Sequence, residues 1–122
     1  MPRILLVEDN EMFLIGVKKM LLQKGHITDT CENGKQAIEL VKKNDYDLVI
    51  TDLLMPVGTG FELISSIKND ETKKHLKIVV TSSIGNAESI SEAMQAGADA
   101  YLTKPLNPFD LLKQIDKLIV NV

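Results

Sequence analysis

Asp47-Leu48-Val49-Ile50-Thr51-Asp52 is the stretch that decides the fold. Its four central residues are apolar or β-branched without polar alternation, which predicts a strand buried on both faces, as in a parallel sheet covered by helices. Asp52 stands where this strand should end. Chemistry gathers at the carboxyl ends of strands in an open parallel sheet. Taken alone, Asp52 is equally compatible with a residue that ends a turn.

The bulk composition narrows the class of protein. The chain has 122 residues, of which 44% are hydrophobic and 25% charged. These values predict one globular domain spanning residues 1–122. The net charge of −3 and the absence of long runs of one sign argue against nucleic acid as a direct partner. Cys31 is the one cysteine, which excludes an internal disulfide, and no apolar run reaches the roughly 18 residues that span a bilayer. We therefore expect a cytoplasmic protein without a membrane partner.

Four further short runs predict strands, and a periodic apolar stripe follows each strand. The predicted strands lie at 4–7, 27–31, 78–80 and 100–103. Five strands that alternate with five helices predict a parallel α/β sheet with helices on both faces. Residues 27–31 alternate between apolar and polar, which favours an edge strand with one wet face.

Some local expectations concern the helices. Asn10 is a candidate N-cap of the first helix, whose inner face would carry Phe13 and Val17. Gly58 and Gly60 predict a loose loop before the third helix. In the last helix the inner stripe is predicted to contain Phe109, Leu112, Ile115 and Ile119.

Residues that are far apart in sequence meet at the carboxyl edge of such a sheet. The edge receives Glu8 and Asp9 from the first strand, Asp52 from the third, Ser82 from the fourth and Lys104 from the fifth. Each has an ordinary alternative: the two acids could begin a helix, Ser82 could be a polar strand end, and Lys104 could be a solvated surface lysine. Their coincidence at one edge favours a functional site.

Three carboxylates in one pocket repel each other by roughly 4 kcal/mol per pair at about 4 Å and an effective dielectric constant near 20. A hard cation relieves this repulsion, and a few carboxylates with several waters suit Mg²⁺. Lys104 and the metal would neutralise an incoming phosphoryl group, and Ser82 would donate to its oxygen. Asp52 is then the predicted acceptor, through an aspartyl phosphate.

The sequence resembles the receiver domains of two-component response regulators. Among these it is most similar in pattern to single-domain regulators of the chemotaxis type. The matching motifs are Glu8-Asp9, Asp52, Pro56, Gly60, Ser82 and Lys104-Pro105, together with the stretch 96–101 that approaches the lysine. The resemblance implies a flavodoxin-like doubly wound sheet of five parallel strands in the order 2-1-3-4-5.

The resemblance also implies roles for individual residues. Mg²⁺ would be held by Asp9, Asp52 and the backbone carbonyl of Leu54, with Glu8 acting mainly through bound water. The Lys104-Pro105 bond would be cis. The phosphoryl group would come from a phosphohistidine on a sensor histidine kinase or phosphotransfer protein.

Signalling would follow from a change at an output face. Ser82 and Tyr101 would be the switch pair, and the fourth helix, fifth strand and fifth helix would bind a downstream partner. Ile90 and Met94 are candidate contacts on that face, with ordinary core packing as the alternative.

The sequence departs from the family pattern at two positions, and two further positions near the acceptor and the switch hydroxyl are apolar. Thr59 stands where the family often has Asp, and Ser83 where it often has Ala or Gly. Leu54 and Ile84, each two residues after a key residue, cannot orient water through a hydrogen bond. We therefore expect slow self-dephosphorylation.

Other functions remain open from sequence alone. The chain could be a phosphorelay intermediate, a receiver from a longer regulator, a receiver that takes no phosphate, a Mg²⁺-dependent aspartyl-phosphate phosphatase or a flavin electron carrier. Leu54 counts against the phosphatase, which would need a second acid there. Glu8 and Asp9 would repel a flavin phosphate. We expect no turnover of an external substrate.

Overall fold

A computed structural model describes residues 2–55 and 59–119 of the chain. Pro56, Gly58 and both chain ends, which entered the predictions above, lie outside the described residues. The strands are β1 (Arg3–Val7), β2 (Ile27–Cys31), β3 (Leu48–Asp52), β4 (Lys77–Ser82) and β5 (Ala100–Thr103). The helices are α1 (Glu11–Gln23), α2 (Gly34–Lys43), α3 (Gly60–Lys68), α4 (Ala87–Ala96) and α5 (Pro108–Ile119), and a 3₁₀ turn covers Glu71–Lys73.

The five strands form one parallel sheet in the order β2-β1-β3-β4-β5. This order confirms the flavodoxin-like prediction and leaves β2 at an edge, as expected. The register aligns Val7 with Thr51, Asp52 with Thr81, and Ser82 with Thr103. The carboxyl ends of the four strands that carry the predicted site therefore lie side by side.

Two apolar cores lie on opposite faces of the sheet, which makes the fold doubly wound. One core takes Ala37 of α2, Leu63 of α3 and Ala93 of α4. The other takes Val17 of α1 and residues of α5. Every residue of β3 is buried, as the uninterrupted apolar run predicts. None of the described helices has the length and hydropathy needed to cross a membrane.

Side-chain N-caps fix where several helices begin. The side chains of Asn10, Asn33, Thr59 and Asn86 each accept a hydrogen bond from the backbone N–H three residues later. These contacts satisfy donors that the first helical turn leaves unpaired. The cap at Thr59 starts α3 directly after the segment that follows Asp52. Thr59 thus performs, through its hydroxyl, the capping that an Asp at this position would also provide.

Three local predictions are wrong. In β2 the alternation of apolar and polar residues does not predict which side chains face solvent, because Ile27 is exposed and Thr28 is buried. Phe109 is 81% exposed, and Leu111 instead begins the inner stripe of α5. Phe109 lies about 200° around the helix from Leu111, so both cannot face the sheet. Gly60 is the buried first residue of α3 rather than part of a loose loop.

Candidate functional site

Asp52 ends β3 with its carboxylate held by two donors. Its side chain is largely buried at the carboxyl edge of the sheet, between β1 and β4. The backbone N–H of Leu54 donates to Asp52 Oδ1 at 3.1 Å, and Lys104 Nζ donates to Oδ2 at 2.8 Å. Both carboxylate oxygens are thus oriented by neighbouring groups. The structure brings Asp52 and Lys104 together as the strand-end reasoning expects.

Lys104 connects two acids of the site. Its ammonium lies 2.7 Å from Glu8 Oε2 as well as 2.8 Å from Asp52 Oδ2. The residue directly follows β5, and its backbone N–H donates to the carbonyl of Ser82 at 2.8 Å. The Lys104-Pro105 peptide bond is cis, as predicted. The end of β4 thereby fixes the backbone from which the lysine side chain reaches the acids.

Glu8 and Asp9 occupy different environments although they are adjacent in sequence. Glu8 is only 1% exposed, and its carboxylate accepts hydrogen bonds from Lys104 and from the backbone N–H of Asn10. Asp9 is exposed. The resemblance predicted that Glu8 acts mainly through bound water, and the structure adds a direct contact between Glu8 and Lys104.

Glu8 and Lys104 each shift the pKa of the other. Burial raises the pKa of the Glu8 carboxyl, and hydrogen bonds from Lys104 and Asn10 oppose this only in part. Burial also disfavours the ammonium of Lys104. The hydrogen bonds and charges of Asp52 and Glu8 outweigh that effect, so the pKa of Lys104 is raised. Lys104 therefore stays charged at neutral pH.

The acid cluster has the ligand chemistry of a hard divalent cation. Glu8, Asp9 and Asp52 each place a carboxylate oxygen within 4.8 Å of the others. With all three carboxyl groups ionised, they and the Lys104 ammonium would carry two negative charges in excess, which is the charge that Mg²⁺ would neutralise. Oxygen ligands of this kind suit Mg²⁺. The predicted role of the Leu54 carbonyl as a further ligand stays a prediction.

The two predicted switch residues share one backbone neighbour. Ser82 is fully buried, and its Oγ accepts a hydrogen bond from the N–H of Ile84 at 3.1 Å. The hydroxyl of half-buried Tyr101 donates to the carbonyl of the same Ile84. Ile84 therefore bridges Ser82 and Tyr101 through its two backbone polar groups.

The candidate contacts of the output face are not core residues. Met94 is exposed and Ile90 is partly buried on α4. The apolar position of α4 that enters the core is Ala93. These exposures leave Ile90 and Met94 accessible to a partner.

Sequence reasoning did not predict how two residues contact the site. The ring of Phe13, assigned above to the inner face of α1, lies with its centroid 4.4 Å from Lys104 Nζ. A Cβ added to Gly60 would lie 2.4 Å from the backbone oxygen of Asp52 and 2.8 Å from Leu53 Cα. Gly60 therefore permits the start of α3 to pack against the end of β3. Its position eight residues after Asp52 carried the only signal, and no local pattern pointed to the role of Phe13.

Comparisons with known proteins agree with this geometry. A family described as the response regulator receiver domain matches residues 4–116. The chain is 36% identical to the chemotaxis protein CheY of Halobacterium salinarum over 117 residues, which cover 96% of each chain.

Two solved structures show the same fold with Mg²⁺. The response regulator TrrA of Thermotoga maritima, in complex with Mg²⁺-BeF, matches with a TM-score of 0.85 and 33% identity over 97% of this chain and 99% of that one. The receiver domain of a Pseudomonas aeruginosa PAO1 sensor histidine kinase has a magnesium ion in its active site cleft. It matches with a TM-score of 0.90 and 26% identity over 98% of each chain.

Proposed function

The chain belongs to the family of response regulator receiver domains, and from this we propose that it is a phosphorylation-driven switch whose acceptor is Asp52. The family works in two-component signalling and is not a family of metabolic enzymes. The observation that carries the proposal is the position of Asp52 beside Lys104, Glu8 and Asp9 at the carboxyl edge of the sheet. We expect this pocket to act on its own Asp52 and on no external substrate.

The proposed chemistry is a transfer of a phosphoryl group from a phosphohistidine to Asp52. One carboxylate oxygen of Asp52 forms the new P–O bond while the P–N bond to the donor imidazole breaks, and the electrons of that bond go to the imidazole nitrogen. Asp52 is ready for this role because it is oriented by Leu54 N–H and by Lys104. Positioning of this kind contributes much of the catalysis in phosphoryl transfer.

The charges around Asp52 suit an incoming phosphoryl group. Lys104 supplies a positive charge, and after transfer its ammonium is close enough to contact the phosphoryl oxygens. Bound Mg²⁺, held by Asp9 and Asp52 with Glu8 beside them, would supply further positive charge to those oxygens. The fit of this ion rests on the three converging carboxylates.

The proposed switch runs from Ser82 to Tyr101. When Ser82 turns its hydroxyl toward the phosphoryl group, it withdraws the acceptor that now holds Ile84 N–H. The carbonyl of Ile84, which holds the Tyr101 hydroxyl, moves with it. Tyr101 is then free to turn inward, and the face formed by α4, β5 and α5 changes shape. The partly exposed Ile90 and Met94 would contact a downstream protein there.

The first experiment tests the acceptor. The purified chain is incubated with acetyl phosphate and Mg²⁺, and phosphoprotein is separated on a phosphate-affinity gel. We expect a phosphorylated band for the wild type and for the exposed-acid control Asp116→Asn, and no such band for Asp52→Asn. Phosphorylation of Asp52→Asn in this pocket would contradict the assignment.

A second experiment identifies partners. Pull-downs with the beryllofluoride-treated and untreated chain should differ in the downstream protein captured. A sensor histidine kinase or a phosphotransfer protein should transfer phosphate to the wild type. A chain that also passes phosphate on to a second histidine protein would be a phosphorelay intermediate.

A further inference from the structure

We propose that Phe13 is a positioning residue for Lys104, whose ammonium it holds against Asp52 for phosphoryl binding. This inference rests on the proposed function, because it assigns the lysine a task at the phosphorylated acceptor. Its basis is the placement of the Phe13 ring centroid 4.4 Å from Lys104 Nζ. That distance lies within the range of a cation–π contact.

The ammonium of Lys104 is enclosed on three sides. Glu8 Oε2 lies at 2.7 Å, Asp52 Oδ2 at 2.8 Å, and the face of Phe13 covers a third side. A lysine ammonium has three N–H donors, and the two carboxylates account for two of them. The electron-rich face of the Phe13 ring is a further neighbour that attracts the positive charge. Because little of the Lys104 side chain is exposed, water screens this attraction only weakly.

Phe13 is itself held in place. It sits near the start of α1, is half-buried, and packs against the core between α1, α5 and the sheet. It also lines an apolar groove of about 390 Å³ between α1 and residues 104–111. A ring fixed by the core limits the positions that the flexible four-carbon lysine chain adopts.

This restriction matters because a lysine side chain loses much rotamer freedom when it is held. Lys104 must remain beside Asp52 both before and after phosphorylation. A contact that does not depend on the carboxylates preserves its position while one of its acidic partners is being modified. Phe13 provides such a contact, since its ring carries no titratable or coordinating group.

Ordinary core packing would require only apolar volume at position 13. Leu or Met supplies that volume without an aromatic face, and Tyr keeps the face. Phe13 is only half-buried and lines a groove, so it is not enclosed on all sides by the core. Replacing Phe13 by Leu, Met or Tyr therefore separates the packing role from the positioning role.

The first readout needs neither metal nor phosphate. Ring-current shifts of the Lys104 ε-methylene protons are measured by NMR and assigned with Lys104→Met. We expect upfield-shifted resonances in the wild type and in Phe13→Tyr, and their return to ordinary lysine positions in Phe13→Leu and Phe13→Met. The control Phe109→Leu changes an exposed ring and should leave them unchanged. Shifts that are the same in Phe13→Leu and the wild type would overturn the contact.

The second readout compares two affinities. Phe13→Leu and Phe13→Met should bind beryllofluoride in Mg²⁺ roughly three- to tenfold more weakly than the wild type. Phe13→Tyr should stay within about twofold. Binding of Mg²⁺ alone should be unchanged or tighter in the Leu and Met variants, because a loosened ammonium competes less for the carboxylates. If the affinities for beryllofluoride and for Mg²⁺ fell together, Phe13 would have only a packing role. The same conclusion would follow if Phe13→Tyr and Phe13→Leu lost beryllofluoride affinity equally. If the wild type bound no beryllofluoride, the proposed function would fail, while the methylene shifts would still decide the contact.

Discussion

The ammonium of Lys104 lies 2.7 Å from Glu8 Oε2 although 96 sequence positions separate the two residues. Glu8 is buried at the end of the first strand, and Lys104 follows the last. The ion pair therefore connects the ends of β1 and β5 across the carboxyl edge of the sheet. Since Glu8 also converges with Asp9 and Asp52, Lys104 and a bound divalent cation would compete for the same negative charge.

Replacing Lys104 should expose this competition. We expect Lys104→Met to bind Mg²⁺ about threefold or more tightly at pH 8, because removing a nearby positive charge strengthens the attraction for a cation. Beryllofluoride binding should fall at least about tenfold, because an anion loses its cationic partner. NMR titrations measure both. Lys113→Met removes an exposed lysine and should change neither affinity. Weaker Mg²⁺ binding by Lys104→Met would contradict the competition.

Gly60 should tolerate no side chain. In Gly60→Ala the new Cβ would meet the backbone of Asp52 and Leu53 at 2.4 and 2.8 Å, so α3 or the end of β3 must shift. We expect a loss of about 1–3 kcal/mol in the free energy of unfolding, together with slower phosphorylation. Gly16→Ala is the matched control, since nothing lies within 4 Å of its added Cβ. It should be neutral or stabilising by up to about 1 kcal/mol. Equal urea midpoints for the two variants would show that the close approach is not costly.

Self-dephosphorylation should be slow. Leu54 is 58% exposed next to Asp52, and its apolar side chain offers no hydrogen bond to an attacking water. Leu54→Asn supplies both a donor and an acceptor, and we expect phosphate loss to become roughly tenfold faster, as for one hydrogen bond of about 1.4 kcal/mol that forms only in the transition state. Loss of label from the isolated chain measures the rate. Leu22→Asn alters another exposed leucine and should leave the rate unchanged, and an unchanged rate in Leu54→Asn would remove the basis for the prediction.

The cluster of Arg3, Asp29 and Tyr46 should make stability depend on pH. Burial alone would raise the pKa of Asp29. The hydrogen bonds from Tyr46 and Arg3 and the charge of Arg3 outweigh it, so this pKa is lowered. A lowered pKa contributes stability that is complete above the unfolded pKa near 3.9 and is lost as the pH falls through the folded value.

The variant Asp29→Asn measures this contribution. Because the ion pair is about one-third exposed, we expect a stability deficit of only about 1 kcal/mol or less at pH 7. Urea titrations measure the difference in free energy of unfolding between the variant and the wild type. This difference should stay constant from about pH 7 to 5 and become smaller below about pH 4. A gap that widens toward acid would contradict the sign. Asp116→Asn, an exposed control, should show no such gap.

Much of the fold could be predicted from local sequence. The run 48–51 identified a buried central strand, and the strand–helix alternation predicted the parallel sheet that the structure confirms. Asn10 and Asn86 were identified as helix caps because their side chains compete for nearby backbone donors. The predictions at Ile27 and Phe109 were wrong because the apolar pattern there is too short to show which face of the strand or helix is buried.

The sequence by itself determined which residues reach the carboxyl edge, because strand direction places every strand end there. Only the tertiary structure decided how they pair. The contact of Glu8 with Lys104, the ring of Phe13 beside the ammonium and the clearance at Gly60 depend on loop paths, side-chain rotamers and the approach of separate elements. Hydrophobic periodicity encodes which face is buried, but it does not encode distances of a few ångströms between groups from different elements. For that reason the sequence alone could propose Asp52 as the acceptor, whereas it could not show which groups contact Lys104.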